Sequence, residues 1–376
     1  MSIQVSYRKQ VIFGIFMLIF FLGIIEIGIR VFELNFPDSN DEINEIFEKY
    51  DKEVIEKLFS NGVFVYKYDK ILLNGPNQKL NTININEYGF RGQEISLEKE
   101  SDTYRIFLVG GSTMIGLDSS SDDTTIPGYL QQFFDDSKIE KNIEIINAGI
   151  PNADSRSEIF LVKNHLLKFE PDLIFIYDGI NDANHDWGWN DEVEDQSILA
   201  NLENSFEIGI RSFYQSKIEP YYHTISFIDN IIKNENYYNK SNQNVDVPDK
   251  TLISLKTQKW TQRWSSICEL GNEKGFKTII SVQPVLGTGK KILTADEMNR
   301  LNNSIKKQEV VFQLLEEYSK ALEILEKKCY KTIDLRNSFD GISEPIYSDL
   351  GHMGDFGNKI IAKEIFEKMK QIFNER

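Results

Sequence analysis

The sequence predicts an α/β protein built around a doubly wound parallel sheet, and three observations support this fold class. Short apolar runs with the length and branching of buried strands alternate with longer segments of helical spacing from residue 104 onward. Several of these runs end directly in Gly, Asn or Asp, as strands that stop at loops do. The chain, with 376 residues, is also long enough to bury a large core. In such sheets we expect a site at the carboxyl ends of the strands.

The predicted elements follow one another in a regular order. The predicted strands are 105–109, 143–146, 173–177, 278–282 and 332–335. The predicted helices are 126–134, 155–169, 255–274, 296–327 and 356–373. Residues 185–250 interrupt the alternation and are rich in aromatic residues and Asn, so we interpret them as an insertion. A lid or substrate wall and a peripheral helical elaboration are equally open roles for it.

An uncharged run, residues 11–25, follows Arg8 and Lys9 near the amino terminus, and Glu26 and Arg30 interrupt its apolar continuation to residue 32. As a helix, residues 11–32 span about 33 Å, which is enough to cross the core of a bilayer. Positive charge precedes this segment and acidic residues follow it, so we predict a cytoplasmic tail at residues 1–10 and a single-pass transmembrane helix at 11–32, with the bulk of the chain outside the cytoplasm. A cleaved signal peptide and a buried core helix are the alternatives.

The segment between this helix and the first strand is mixed in character. Residues 33–103 are predicted to be a juxtamembrane segment packed on the edge of the domain formed by residues 104–376. Within it, residues 42–59 have helical spacing, whereas residues 81–92 look extended and end in the run Tyr-Gly-Phe-Arg-Gly.

Composition narrows the possible functions. The formal net charge is −16 and no basic cluster is present, which argues against nucleic acid as a partner. The two cysteines, Cys268 and Cys329, have no metal-binding spacing, and both free thiols and one disulfide remain possible for them.

Residue types suited to acyl transfer lie where predicted strands end. Ser112 follows Gly110-Gly111 after the first strand and is a candidate nucleophile, although the same pattern suits a phosphate-binding turn or a helix N-cap. His352, before the last helix, can take the proton of Ser112, and Asp349 can orient the imidazole. His185 is a rival base, whereas His165 and His223 receive no role.

Carbonyl attack also needs donors for the developing oxyanion. The predicted oxyanion hole consists of the Ser112 N–H, the Gly149 N–H and the Asn181 side-chain amide, each at a strand end. Asp182, which follows Asn181, is interpreted as a structural residue that bonds the loop.

These segments resemble the SGNH/GDSL hydrolase superfamily, with Ser112, Gly149, Asn181 and His352 as the four letters. The match runs from about residue 104 to the carboxyl terminus, outside the insertion. The first segment reads Gly-Gly-Ser-Thr instead of Gly-Asp-Ser-Leu, a variant similar to the membrane-anchored branch, which also has the Gly-Phe-Arg-Gly run seen at 89–92. The resemblance implies a flavodoxin-like three-layer α/β/α fold.

The expected function is therefore a membrane-anchored, extracytoplasmic serine esterase that needs no metal or cofactor. The resemblance implies O-acyl esters on cell-surface carbohydrate as substrates, with acyl transfer to an acceptor as a close variant. Expected partners are the lipid bilayer and the acylated substrate. The alternative is a non-catalytic protein that binds surface glycans or assists assembly on a hydrolase scaffold.

Overall fold

The computed structural model describes residues 7–35, 56–60, 62–68, 71–184 and 250–374. These residues fall into two compact units, one holding the amino-terminal helix and the other holding the remaining described residues. The predicted insertion lies outside the described residues except for Lys250, so its role stays a prediction, as do the predicted domain boundaries.

The first unit contains helix α1, Tyr7–Asn35. Its segment Tyr7–Ile24 is long and apolar enough to cross a membrane, and none of that segment is buried inside the protein. A core helix would be buried, so the exposed apolar surface leaves a membrane span or a signal sequence as the two interpretations.

The second unit begins with two small antiparallel sheets. Strands β1 (Glu56–Ser60), β2 (Val63–Tyr68) and β3 (Ile71–Asn74) form one, and β4 (Gln78–Lys79) pairs with β5 (Asn84–Ile85). The prediction of helical structure across residues 42–59 is wrong for residues 56–60, which form β1, and the rest of that stretch lies outside the described residues. The Asn-Gly dipeptide at 61–62 explains the difference, because it is a strong hairpin signal and Gly62 has a φ of 85°.

A five-stranded parallel sheet forms the centre of this unit. Its strands are β6 (Thr103–Gly110), β7 (Asn142–Gly149), β8 (Leu173–Asp178), β9 (Lys277–Val282) and β10 (Lys331–Asp334). The strand order is β10-β9-β8-β6-β7, the flavodoxin-like order in which the direction of winding reverses between the first and third strands. The predicted doubly wound parallel sheet is confirmed.

Helices cover both faces of the sheet. After the short helix α2 (Ser112–Ile115) come α3 (Ile126–Asp135), α4 (Ser155–Asn164), α5 (Ile180–Asn184), α6 (Lys250–Lys274), α7 (Ala295–Leu325) and α8 (Asp355–Asn374). Residues of β6 alternate between the two faces, so Ile106 and Leu108 join a core with α3 and α8. Phe107 and Val109 join the core formed with α4, α6 and α7.

Two local features differ from, or add to, the predicted elements. The helix predicted over 155–169 is α4 followed by a 3-10 turn, Leu166–Phe169, because the backbone breaks at His165, whose Nε2 lies 2.9 Å from the Tyr88 carbonyl oxygen. Cys268 on α6 and Cys329 after α7 form a disulfide, which resolves the choice that the sequence left open.

Candidate active site

The turn that carries Ser112 depends on close backbone packing. Strand β6 ends at Gly110, where a Cβ atom would lie 2.6 Å from the Tyr177 carbonyl oxygen of β8. Gly111 precedes the four-residue helix α2, and Gly116 ends it in the left-handed conformation with a φ of 81°. The result is a sharp strand-to-helix turn that presents Ser112 at the carboxyl end of β6, beside the point where the winding of the sheet reverses.

Ser112, His352 and Asp349 lie together despite their separation in the chain. Ser112 Oγ is 2.7 Å from His352 Nε2, and His352 Nδ1 is 2.6 Å from Asp349 Oδ2. The other oxygen of Asp349 accepts the backbone N–H groups of Gly351 and His352 at 2.8 and 2.7 Å, which fixes the carboxylate. Hydroxyl, imidazole and carboxylate therefore form a continuous hydrogen-bonded chain of the kind used for nucleophilic catalysis.

The pKa shifts of Asp349 and His352 agree with the hydrogen bonds that connect them. Partial burial disfavours the ionised Asp349 carboxyl, but the hydrogen bonds and charge of His352 outweigh it and hold the pKa of Asp349 at about 2. Partial burial also lowers the pKa of His352, but the hydrogen bond and charge of Asp349, together with the charge of Asp118, outweigh it, so the pKa of His352 is raised above 6.5.

The loop bearing His352 is tied to the segment that follows the nucleophile. Ser348 Oγ donates to Asp118 Oδ2, and the Ser348 N–H donates to the His352 carbonyl oxygen at 3.0 Å. Farther along, the N–H and Oγ of Ser120 donate to the Asp355 carboxylate at 2.9 and 2.6 Å. Base and nucleophile are thus connected through neighbouring loops as well as through their own contact.

Asn181 lies beside the nucleophile turn. It is on helix α5, directly after β8, and its Nδ2 donates to the Ala153 carbonyl oxygen at 2.6 Å. A Cβ atom on Gly111 would clash with this amide nitrogen, so the amide packs against the backbone next to Ser112. Asp182 accepts the N–H and Oγ of Ser155 at 2.7 and 2.5 Å, and these bonds fasten the same helix to the start of α4.

Gly149 packs tightly against helix α2, and its role as an oxyanion donor stays a prediction. Its N–H donates to Asn147 Oδ1 at 3.1 Å, so this predicted oxyanion donor is already engaged. A Cβ atom here would lie 2.7 Å from Ile115 Cα, within the helix that begins at Ser112. The residue serves close packing between β7 and α2, because only glycine fits at that distance.

Among the described residues, the one histidine besides His352 is His165. His165 is buried and its Nε2 contacts the Tyr88 carbonyl oxygen. His185 and His223 lie outside the described residues. Among the described residues, no group of three or more His, Cys, Asp or Glu side chains is arranged to hold a metal ion.

Sequence reasoning did not identify the residues that brace the site from a distance. Asp118 and Ser348 are 230 positions apart, and nothing in their local sequences indicates that they meet. Arg91, in the Gly-Phe-Arg-Gly run, contacts the nucleophile turn. The sequence analysis noted that run for its resemblance to a family branch, but the sequence alone did not indicate which residues Arg91 contacts.

No protein-family model matches the chain, and no curated protein matches it significantly. Solved structures do match. They include the acetyl xylan esterase AlAXEase, with a TM-score of 0.41 and 13% identity over 70% of this chain and 98% of that one. The lipase/acylhydrolase from Enterococcus faecalis has a TM-score of 0.42 and 14% identity over 72% and 96% of the two chains. A putative lipolytic protein of the G-D-S-L family from Desulfitobacterium hafniense DCB-2 has a TM-score of 0.38 and 12% identity over 70% and 98%.

Proposed function

We propose that this protein is a serine esterase of the SGNH/GDSL type that acts on O-acyl esters through Ser112, His352 and Asp349. One observation carries the proposal: the 2.7 Å contact between Ser112 Oγ and His352 Nε2, continued by the 2.6 Å contact to Asp349. A hydroxyl held this close to a correctly oriented imidazole is a general signature of an activated nucleophile.

The proposed reaction has two steps. Ser112 Oγ attacks the ester carbonyl carbon while His352 Nε2 takes its proton, and the oxyanion forms against the Ser112 N–H and the Asn181 amide. His352 then donates that proton to the leaving alcohol, which leaves an acyl group on Ser112. In the second step water attacks the acyl carbonyl carbon while His352 Nε2 takes a proton from it. His352 then gives that proton to Ser112 Oγ as the bond between Oγ and the acyl carbon breaks, which releases the acid and restores the hydroxyl.

Helix α2 supports the oxyanion assignment. The first N–H groups of a helix have no partner within the helix, and Ser112 is the first residue of α2. Since the N–H of Gly149 is engaged by Asn147, the proposed mechanism uses two donors near Ser112 and does not rely on Gly149.

The proposed substrates are O-acyl groups on carbohydrate, the class implied by the sequence resemblance. Transfer to a sugar acceptor uses the same acyl-enzyme, because a hydroxyl then replaces water in the second step. Product analysis with and without a sugar acceptor separates the two: free acid in both cases indicates a hydrolase, whereas acylated acceptor indicates a transferase.

We further propose that the catalytic unit lies outside the cytoplasm, anchored by α1. Two features support this placement. The apolar part of helix α1 follows Arg8 and Lys9, which lie in its first turn, and positive charge on this side favours a cytoplasmic amino terminus. The Cys268–Cys329 disulfide is a feature of proteins from oxidising compartments.

The test of the proposed activity is the variant Ser112→Ala. We expect it to lose hydrolysis of a short acyl ester and labelling by a serine-reactive phosphonate, while its circular dichroism and thermal midpoint stay those of the wild type. Ser101→Ala, which removes an exposed hydroxyl just before β6, is the matched control and should still be labelled. Full labelling of the Ser112→Ala variant would refute the assignment of the nucleophile, whereas a wild type that shows neither labelling nor hydrolysis would favour the non-catalytic alternative.

A further inference from the structure

Arg91 is a buried cation outside the proposed catalytic groups. It follows β5, and its backbone N–H donates to the Asn147 carbonyl oxygen of β7 at 3.0 Å, so this segment lies along the edge strand of the parallel sheet. Only 4% of the residue is exposed. A guanidinium so deeply buried must be paired and hydrogen-bonded to be tolerated.

The guanidinium contacts the helix that carries Ser112. Its Nη1 donates to the carbonyl oxygens of Ile115 and Gly116 at 2.8 and 2.6 Å. Its Nε donates to Asp122 Oδ1 at 2.7 Å, and its Nη2 donates to the Thr82 carbonyl oxygen at 2.5 Å. One planar fork therefore joins the end of the nucleophile turn to the loop that follows it and to the sheet edge.

Asp122 is itself fixed by the same segment. The N–H and Nδ2 of Asn84 donate to its two carboxylate oxygens at 3.2 and 2.6 Å. Arg91, Asp122 and Asn84 thus form one hydrogen-bonded network, which contacts α2 at the end farther from Ser112.

Helix α2 needs such support because it is only four residues long. A single helical turn is unstable by itself, and its last carbonyl groups have no partners within the helix. Ser112 is at the other end of this turn and must keep its Oγ within hydrogen-bonding distance of His352 Nε2. We infer that Arg91 is a positioning residue, which fixes the turn that holds the Ser112 nucleophile; this inference rests on the proposed esterase activity.

The experiment compares Arg91→Met with Arg105→Met. Arg105 is a matched control: it is 1% exposed, its Nε pairs with Glu144 at 2.5 Å, and its Nη1 donates to the Phe169 carbonyl oxygen at 2.9 Å. It lies near the start of β6, whereas Ser112 follows the end of the same strand, so about 20 Å separate the two positions along the strand.

We expect both variants to lower the thermal midpoint, since each removes several hydrogen bonds of a buried guanidinium and leaves a carboxylate, Asp122 or Glu144, without its arginine partner. Only Arg91→Met is expected to lower kcat, by about 10- to 100-fold, with KM within about twofold of the wild type, because a displacement of order 1 Å at a nucleophile has effects of that size. Rates are measured at a temperature well below the thermal midpoints of both variants. Each rate is divided by the concentration of active sites, determined by titration with the phosphonate, so that inactive protein does not lower the apparent kcat. Arg91→Lys, which retains one charged donor, should recover part of kcat.

Wild-type kcat in Arg91→Met would overturn the inference, as would an equal loss of kcat in Arg105→Met. If Arg91→Met yields no folded protein, Arg91→Lys and Asp122→Asn replace it, and wild-type kcat in both overturns the inference. Failure of the proposed esterase activity would give a different result, because the wild type and Arg105→Met would then also show no turnover and no labelling. The inference about Arg91 rests on that activity and would be overturned together with it.

Discussion

His352 is influenced by two carboxylates, and this makes its titration a test of the site. Asp349 bonds the ring directly, whereas Asp118 acts through its charge and holds the neighbouring Ser348. As a general base His352 must be neutral, so activity should rise with pH through a pKa that is raised above 6.5. Asp349, with a pKa of about 2, stays ionised throughout that range.

Asp118→Asn should therefore move the acidic limb of the kcat/KM profile toward lower pH, because it removes a negative charge that stabilises the imidazolium. The measurement is the midpoint of that limb for ester hydrolysis. Asp355→Asn is the control: it breaks a comparable loop contact, to Ser120, but Asp355 is not among the groups that raise the pKa of His352. A shift toward higher pH in Asp118→Asn would contradict the assignment.

Asn181→Ala tests the oxyanion donor. Removing one such donor typically costs about 10²- to 10³-fold in kcat, and we expect a loss of this order with KM little changed. Asn184→Ala, an exposed position on the same helix α5, should keep wild-type kcat. Equal kcat in the two variants would remove Asn181 from the mechanism.

Single residues differ in how far the sequence could predict them. Ser112, Asp349 and His352 were predicted because each has a local signature: a glycine turn after an apolar strand, or an acid three residues before a histidine. Gly149 was correctly located at a strand end, but its N–H partner, Asn147, is two residues away on the same strand and is fixed only by the folded backbone. The bracing contacts of Arg91 and Asp118 cross long stretches of chain and have no local signature.

At the scale of elements, the alternation of apolar runs and helical spacing was sufficient to predict the parallel sheet. Each of the five predicted strands overlaps an observed strand, because buried parallel strands read as continuous apolar runs. The error at residues 56–60 has the opposite cause: this short hairpin strand mixes charged, polar and apolar residues and lacks such a run, and its pairing with β2 overrides its helical spacing.

The Cys268–Cys329 disulfide joins α6 to the chain just before β10 across 61 residues. By loop entropy alone, a link of this length stabilises the folded state by about 4 kcal/mol. We expect Cys268→Ala/Cys329→Ala to lower the free energy of unfolding by an amount of that order and to leave kcat unchanged at low temperature. Denaturant unfolding gives the first quantity. A loss of kcat in folded protein would mean that the link also shapes the site.

At the scale of the whole molecule, the proposed arrangement is an anchored hydrolase facing away from the cytoplasm. We expect a membrane-impermeant phosphonate to label the wild-type protein in intact cells, and the label to map to Ser112. Ser112→Ala supplies the background. Labelling that appears only after the cells are lysed would place the catalytic unit on the cytoplasmic side and contradict the proposed orientation.

Ser112 and His352 are 240 positions apart in the sequence, so they are synthesised at different times. A ribosome that adds about 5 to 20 residues per second needs roughly 10 to 50 seconds to reach the histidine after it has made the serine. During that interval the growing polypeptide carries a hydroxyl with no base to activate it. The proposed ester cleavage therefore cannot begin before His352 has been synthesised and folded against Ser112.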